Sequence, residues 1–147
     1  MALFDAAHVI DSVDADSQDA VFGALAQKAV ELGVATEATA VVADLHAREA
    51  EASTGFGGGV AIPHTKSENI STPAIIFARL STPVEWHALD GAPVDTVINI
   101  LVPKDGNDTH LQLLAKLARN LVHADFVAAL KNDPIEDACA RIKGIVG

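Results

Sequence analysis

A single cysteine, Cys139, stands in the 147 residues. That excludes an internal disulfide and is a poor basis for a zinc site, which draws on several Cys or His at close spacing; Cys139 is expected to be a small buried hydrophobe. Basic residues are also scarce, ten Lys and Arg against twenty Asp and Glu, for a formal charge of −10. A nucleic-acid partner selects clustered Lys and Arg and is excluded on this balance, whereas a basic protein partner is compatible with it. Long apolar runs are missing: none approaches the roughly 18 residues needed to cross a bilayer. The opening Met1-Ala2-Leu3-Phe4-Asp5 lacks the basic flank and apolar stretch of an export signal. No membrane insertion and a cytoplasmic location are expected.

What is present is enough apolar material for a core, 50% hydrophobic residues with a mean hydropathy of +0.28, in a chain of the size of one domain, 1–147. An Asp- and Ser-rich loop leads into Ser17-Gln18-Asp19-Ala20, which starts a helix running to about Leu32 and closed by Gly33. Thr36 is expected to cap a second helix. Its stripe Val41, Leu45, Arg48, Ala52 places an arginine at the end of a core-facing line, an unusual place whose bland account is a pair with Asp44 or a stem lying along apolar surface with its head in water. Strands are predicted over Val60 to Ile62, Ala74 to Leu80 and Thr96 to Val102, with a weaker extended piece at Val84 to Trp86 and a turn at Leu89-Asp90-Gly91-Ala92-Pro93. Thr96 to Val102 is apolar apart from Asn99, as befits a central strand covered on both faces. Helical patterning from Thr109 to about Leu130, broken near His123-Ala124-Asp125, and a last helix after Pro134 complete a single α/β domain.

Two stretches carry chemistry. In Gly57-Gly58-Gly59-Val60-Ala61-Ile62-Pro63-His64 the glycines let backbone approach a charged ligand, and Pro63 biases Ile62 toward extended geometry, so that His64 is delivered at the end of a strand. In Asn107-Asp108-Thr109-His110-Leu111-Gln112 the Thr109/Gln112 spacing fits a capping box. That places His110 in a first helical turn, where unpaired N–H groups favour an anion. A neutral imidazole can attack phosphorus, and an arginine fork can hold the oxygens of the resulting phosphoramidate. His64, His110 and Arg48 are thus the parts needed to hold a phosphoryl group on nitrogen, and the sequence alone does not show that they meet. His8 is assigned to a terminal loop, His46 falls off the face of Arg48, and His87 and His123 fall in turns. No close metal-ligand pair is formed, and neither metal nor cofactor is called for.

Arg48-Glu49-Ala50-Glu51-Ala52-Ser53-Thr54-Gly55, Gly59-Val60-Ala61-Ile62-Pro63-His64 and His110-Leu111-Gln112-Leu113-Leu114-Ala115-Lys116-Leu117-Ala118-Arg119 closely resemble the fructose/mannitol-type IIA component of the bacterial phosphoenolpyruvate-dependent sugar phosphotransferase system. Phe77-Ala78-Arg79-Leu80, Val84-Glu85-Trp86 and Leu89 to Asp95 look most like the fructose branch. The resemblance spans roughly Ser17 to the C-terminus. It implies a mixed β-sheet flanked by helices on both faces. It further implies a carrier whose His64 takes a phosphoryl group from phospho-HPr and passes it to a cysteine of the IIB component, the IIC component moving the sugar at the membrane. By the same resemblance His110 and Arg48 flank the phosphoryl group, and Ser53 and Thr54 lie near it on the loop. Thr65 departs from the glycine that often follows the phosphorylated histidine, and the lone domain is expected to work with partners on separate polypeptides. Two rival classes are a nitrogen-type regulatory protein using the same histidine as a switch, and a hydrolytic or metal-dependent enzyme, for which no convincing nucleophile–base pair or ligand cluster is found.

Overall fold

A computed structural model describes residues 2–106 and 108–146, with Thr109 described only by its place in a helix. Its centre is the apolar run Val94–Pro103, strand β6 in chain order, buried along almost its whole length. On one edge β6 pairs antiparallel with β5 (Ala74–Val84), Ile76 facing Asn99 and Phe77 facing Ile98. On the other edge it pairs in parallel with two short pieces, β3 (Val60–Ala61) and β4 (His64–Ser67). β1 (Val9–Val13) adds in parallel to β5, and β2 (Gly55–Gly57) turns back antiparallel on β3. The six-stranded mixed sheet therefore runs β1-β5-β6-β3-β2, with β4 continuing the line of β3.

Side chains alternate across this sheet with period two and so build two cores. Ile76, Ala78, Val97 and Leu101 point toward α1 (Gln18–Glu31) and α2 (Ala38–Glu51), meeting Phe22, Leu25, Val41 and Leu45. Ile75, Phe77, Ile98 and Ile100 point the other way, toward α3 (Thr109–Leu121), α4 (Ala124–Asn132) and α5 (Ile135–Val146), meeting Leu113, Leu117, Leu130 and Ile142. Helices thus cover both faces, as expected. Among the described residues no helix is long and apolar enough to cross a membrane.

Local signals account for most boundaries. Ser17 is the N-cap of α1, its hydroxyl accepting from the Ala20 N–H at 3.1 Å, and Gly33 follows the helix with φ +78. The break near His123 separates α3 from α4, whose far end is closed by Arg79 donating to the carbonyls of Leu130 and Asp133 at 2.8 and 2.7 Å. Five expectations need correction. The N-terminal segment is not a loop: residues 9–13 form an edge strand, concealed in the sequence because Asp11 and Ser12 face solvent. His8 is accordingly buried, its Nδ1 paired with the Ile75 carbonyl at 2.9 Å. Thr36 does not cap α2, whose N-cap is Glu37 with no side-chain bond. Val84 belongs to β5 rather than to a separate piece, because β5 and β6 stay paired out to Val84 and Val94 across an irregularity. Cys139 is half-buried against the α3–α5 core rather than fully enclosed, and burial pushes its thiol pKa up.

The feature that positions the site is an interruption. β3 and β4 would be one strand along β6 were it not for Ile62-Pro63 between them; proline has no N–H to give the ladder. The Pro63 carbonyl is instead held twice, by the Ile100 N–H at 3.0 Å and by Asn99 Nδ2 at 3.0 Å. His64 thus begins β4, where the sequence placed it at the end of a strand.

Leu117, fully buried between α3 and the sheet, gives a direct test of the second core: Leu117→Ala should lower the unfolding free energy by about 2–5 kcal/mol, seen as a fall in the urea midpoint at unchanged slope. An unchanged midpoint would place α3 off the sheet.

Candidate functional site

His64 is half-buried at the head of β4. Its Nδ1 lies 2.9 Å from the carbonyl oxygen of Ile62. A carbonyl only accepts, so Nδ1 carries the proton and the lone pair of the neutral ring is on Nε2. That nitrogen receives a hydrogen bond from Nε of Arg48 at 3.1 Å. The tautomer, the ring orientation and the direction of the free lone pair are thus all set by two bonds.

Arg48 sits in the last turn of α2, and its stripe position carries it past the core to the rim, where Nη1 donates to the carbonyl of Ala52 at 2.9 Å. It does not pair with Asp44, whose carboxylate instead accepts from Ser67 Oγ at 2.5 Å and Asn69 Nδ2 at 2.9 Å, joining α2 to the end of β4. His110 lies in the first turn of α3, as the sequence implied. The cap expected from the Thr109 side chain, and Asn107 with it, lies outside the described residues; Asp108 occupies the N-cap position without a side-chain bond. His64, Arg48 and His110 line one open cleft of about 450 Å³, together with Asp44, Glu51, Thr65 and Lys66. His110 Nδ1 is buried and has no partner among the described residues, so the ring at this first-turn helix end carries an unspent nitrogen.

The sequence-level comparisons bear on what such a cleft is for. The family described as phosphoenolpyruvate-dependent sugar phosphotransferase system, EIIA 2, matches residues 2–143. The chain belongs to this EIIA family. A fructose-specific EIIA component of Haloferax volcanii is 36% identical over 118 residues, covering 78% of this chain and 77% of that protein. A nitrogen regulatory protein of Pseudomonas aeruginosa is 40% identical over 106 residues, covering 72% and 69%. In three dimensions the chain is similar to the nitrogen regulatory protein IIA-Ntr of Neisseria meningitidis, with a TM-score of 0.86 at 27% identity over 99% and 97% of the two chains. EIIA components are phosphoryl carriers, hence phosphotransferases, and that is the chemistry of this chain.

In this EIIA chain the electrostatics favour an uncharged His64. Burial lowers its pKa below the ordinary 6.5; the Ile62 hydrogen bond and Glu49 act the other way, while Arg48 and His110 add to the lowering. Ser53 and Thr54, expected near the phosphoryl group, line no part of the cleft among the described residues. Ser53 Oγ accepts from the Gly55 N–H at 3.0 Å, and the Thr54 hydroxyl donates to Glu49 Oε1 at 2.5 Å. Thr65 is buried and pairs with Leu101 of β6. Asp44, Glu49 and Asn99 were not legible as site residues. Asn99 had a signal, a lone amide in an apolar strand, and Glu49 had one in its position beside Arg48, but neither names its partner. The other histidines stay away from the cleft: His46 binds Asp19 at 2.7 Å, exposed His87 lies in irregular backbone after β5, not in a turn, with φ +59, and His123 precedes α4.

A folded-state pKa below that of the unfolded chain means the unfolded state binds more protons in the window between them. His64 therefore contributes stability above pH 6.5 that is lost as pH falls through its lowered value. Titration of the ring by NMR should show a midpoint under 6.5, and Arg48→Gln should move it upward. A midpoint above 6.5 would contradict the burial and charge assigned to the ring.

Proposed function

We propose that this EIIA chain is a fructose-type sugar phosphotransferase carrier in the cytoplasm, with His64 accepting a phosphoryl group from phospho-HPr and yielding it to a cysteine of a IIB component, which serves IIC at the membrane. The observation that carries this reading is the pair of bonds on His64, which protonates Nδ1 and leaves the lone pair on Nε2, where Arg48 Nε donates to it. In the forward step that lone pair attacks phosphorus in line with the P–N bond of the donor. As Nε2–P forms, the donor bond breaks and its electron pair returns to the donor ring. The proton stays on Nδ1, hydrogen-bonded to the Ile62 carbonyl throughout, so no proton must be moved.

Arg48 has a double part in this scheme. In the resting chain its Nε occupies the lone pair that must attack, and the arriving phosphorus takes that place. Its fork then turns to the phosphoryl oxygens, with the first turn of α3 and His110 on the same cleft. In the second step a cysteine thiolate attacks phosphorus, the Nε2–P bond breaks, and its electron pair returns to His64. Fructose rests on the 36% identity to the fructose-specific EIIA component. A nitrogen-type regulatory protein is the second reading, favoured by the 40% identity to the Pseudomonas protein and by the fold of IIA-Ntr.

Incubation with phosphoenolpyruvate, Enzyme I and HPr should give an acid-labile, alkali-stable phosphoprotein, and His64→Ala should abolish the label; label retained by that variant would remove His64 from the role. Arg48→Ala and His110→Ala should fold yet accept the group roughly 10²-fold more slowly, the scale set by loss of one oxyanion donor. Transfer onward to a fructose IIB protein would decide for the carrier, and failure of that step alone for the regulatory reading.

A further inference from the structure

The chain between Arg48 and His64 is organised by one buried threonine. Thr54 is 8% exposed and takes part in four hydrogen bonds. Its N–H donates to Glu49 Oε2 at 2.9 Å and its hydroxyl to Glu49 Oε1 at 2.5 Å. The same hydroxyl accepts from Trp86 Nε1 at 3.2 Å. Its carbonyl accepts from the Ile62 N–H at 2.9 Å. On one side, then, Thr54 holds the residue next to Arg48 in the last turn of α2; on the other it holds the residue whose carbonyl fixes His64 Nδ1.

We propose that Thr54, Glu49 and Trp86 are positioning residues, a clamp that sets the placement of the Arg48 guanidinium on His64 Nε2, and that the Thr54 hydroxyl is no donor to phosphoryl oxygens. A hydroxyl has one proton to give, and here it is spent on Glu49. Both carboxylate oxygens of Glu49 accept from Thr54, and Glu49 does not line the cleft that receives a phosphoryl group. Trp86, 1% exposed and stacked edge-on against Phe22 at 5.5 Å, closes the back of the clamp from the α1 core. Reacting groups tolerate little misplacement, about 1 Å being enough to lower a rate on the order of 10²-fold. One residue that ties the cation's helix to the nucleophile's strand therefore controls the rate without touching the phosphorus.

The proposal rests on His64 being the phosphoryl acceptor, so its test has one arm that needs no transfer. In the partner-free protein, ring nitrogen shifts of His64 should change in Thr54→Val, as the Nδ1–Ile62 bond loosens, and return in Thr54→Ser. With phospho-HPr as donor, Thr54→Val should lose about 10- to 100-fold in kcat with KM nearly unchanged, since the docking face is untouched, and Thr54→Ser should recover most of the loss. Parental kcat in a folded Thr54→Val, or a ring spectrum identical to the parent, overturns the clamp. If Thr54→Val does not fold, Glu49→Gln carries the same two readouts at a half-buried position, and parental values there overturn it equally. Should the parent chain itself take no label, the carrier reading fails, and the ring spectrum alone decides the clamp.

Discussion

The hydrogen bond from His64 Nδ1 to the Ile62 carbonyl, 2.9 Å long, is the constraint on which the site depends. It chooses one of two tautomers, and with that choice it decides which nitrogen can act as nucleophile. A free imidazole would divide its proton between two positions and turn about two torsions. Here the acceptor is a backbone carbonyl, fixed by the covalent geometry of a Pro-containing turn, so the ring has no comparable alternative.

That carbonyl is available because the strand is broken. The Pro63 oxygen keeps its ladder bond from the Ile100 N–H and accepts a second from Asn99 Nδ2, while the Ile62 oxygen is left for the ring. Asn99 is buried with its own Oδ1 unpaired among the described residues, a cost of about 1–3 kcal/mol for an unsatisfied acceptor. A polar group retained on those terms in the middle of a sheet marks where function has overruled packing. The two cores on either side of β6 give that distortion a rigid frame, and α2 and α3 bring Arg48 and His110 to it from opposite faces of the sheet.

Much of this was legible in the residues. The apolar run ending at Val102 announced a doubly covered strand, the helix starting at Ser17 was marked by its cap, and the break near His123 separated two helices. The glycines before Val60, read as backbone able to approach a charged ligand, adopt φ values of +119, +65 and +84 at Gly57, Gly58 and Gly59 and do not line the cleft. What escaped was whatever depends on non-local partners. β1 is an edge strand with two exposed polar residues and shows no clean alternation, so only its pairing with β5 reveals it. Thr36 has the chemistry of a cap, yet α2 begins after Glu37, which no spacing rule foretold. The meeting of Arg48 with His64 rested on resemblance. Sixteen positions apart, the two come together only through the turn at Ala52, where the helix gives way to extended backbone. The engagement of Thr54 by Glu49 was hidden for the same reason.

The indole of Trp86 has a practical consequence. The chain contains no tyrosine and one tryptophan, so near-ultraviolet excitation at the red edge addresses a single ring. That ring is sealed from water and shares its N–H with the threonine behind the nucleophile. Its emission therefore reports on a single place in the molecule, the contact between Trp86 and Thr54, and needs no added dye.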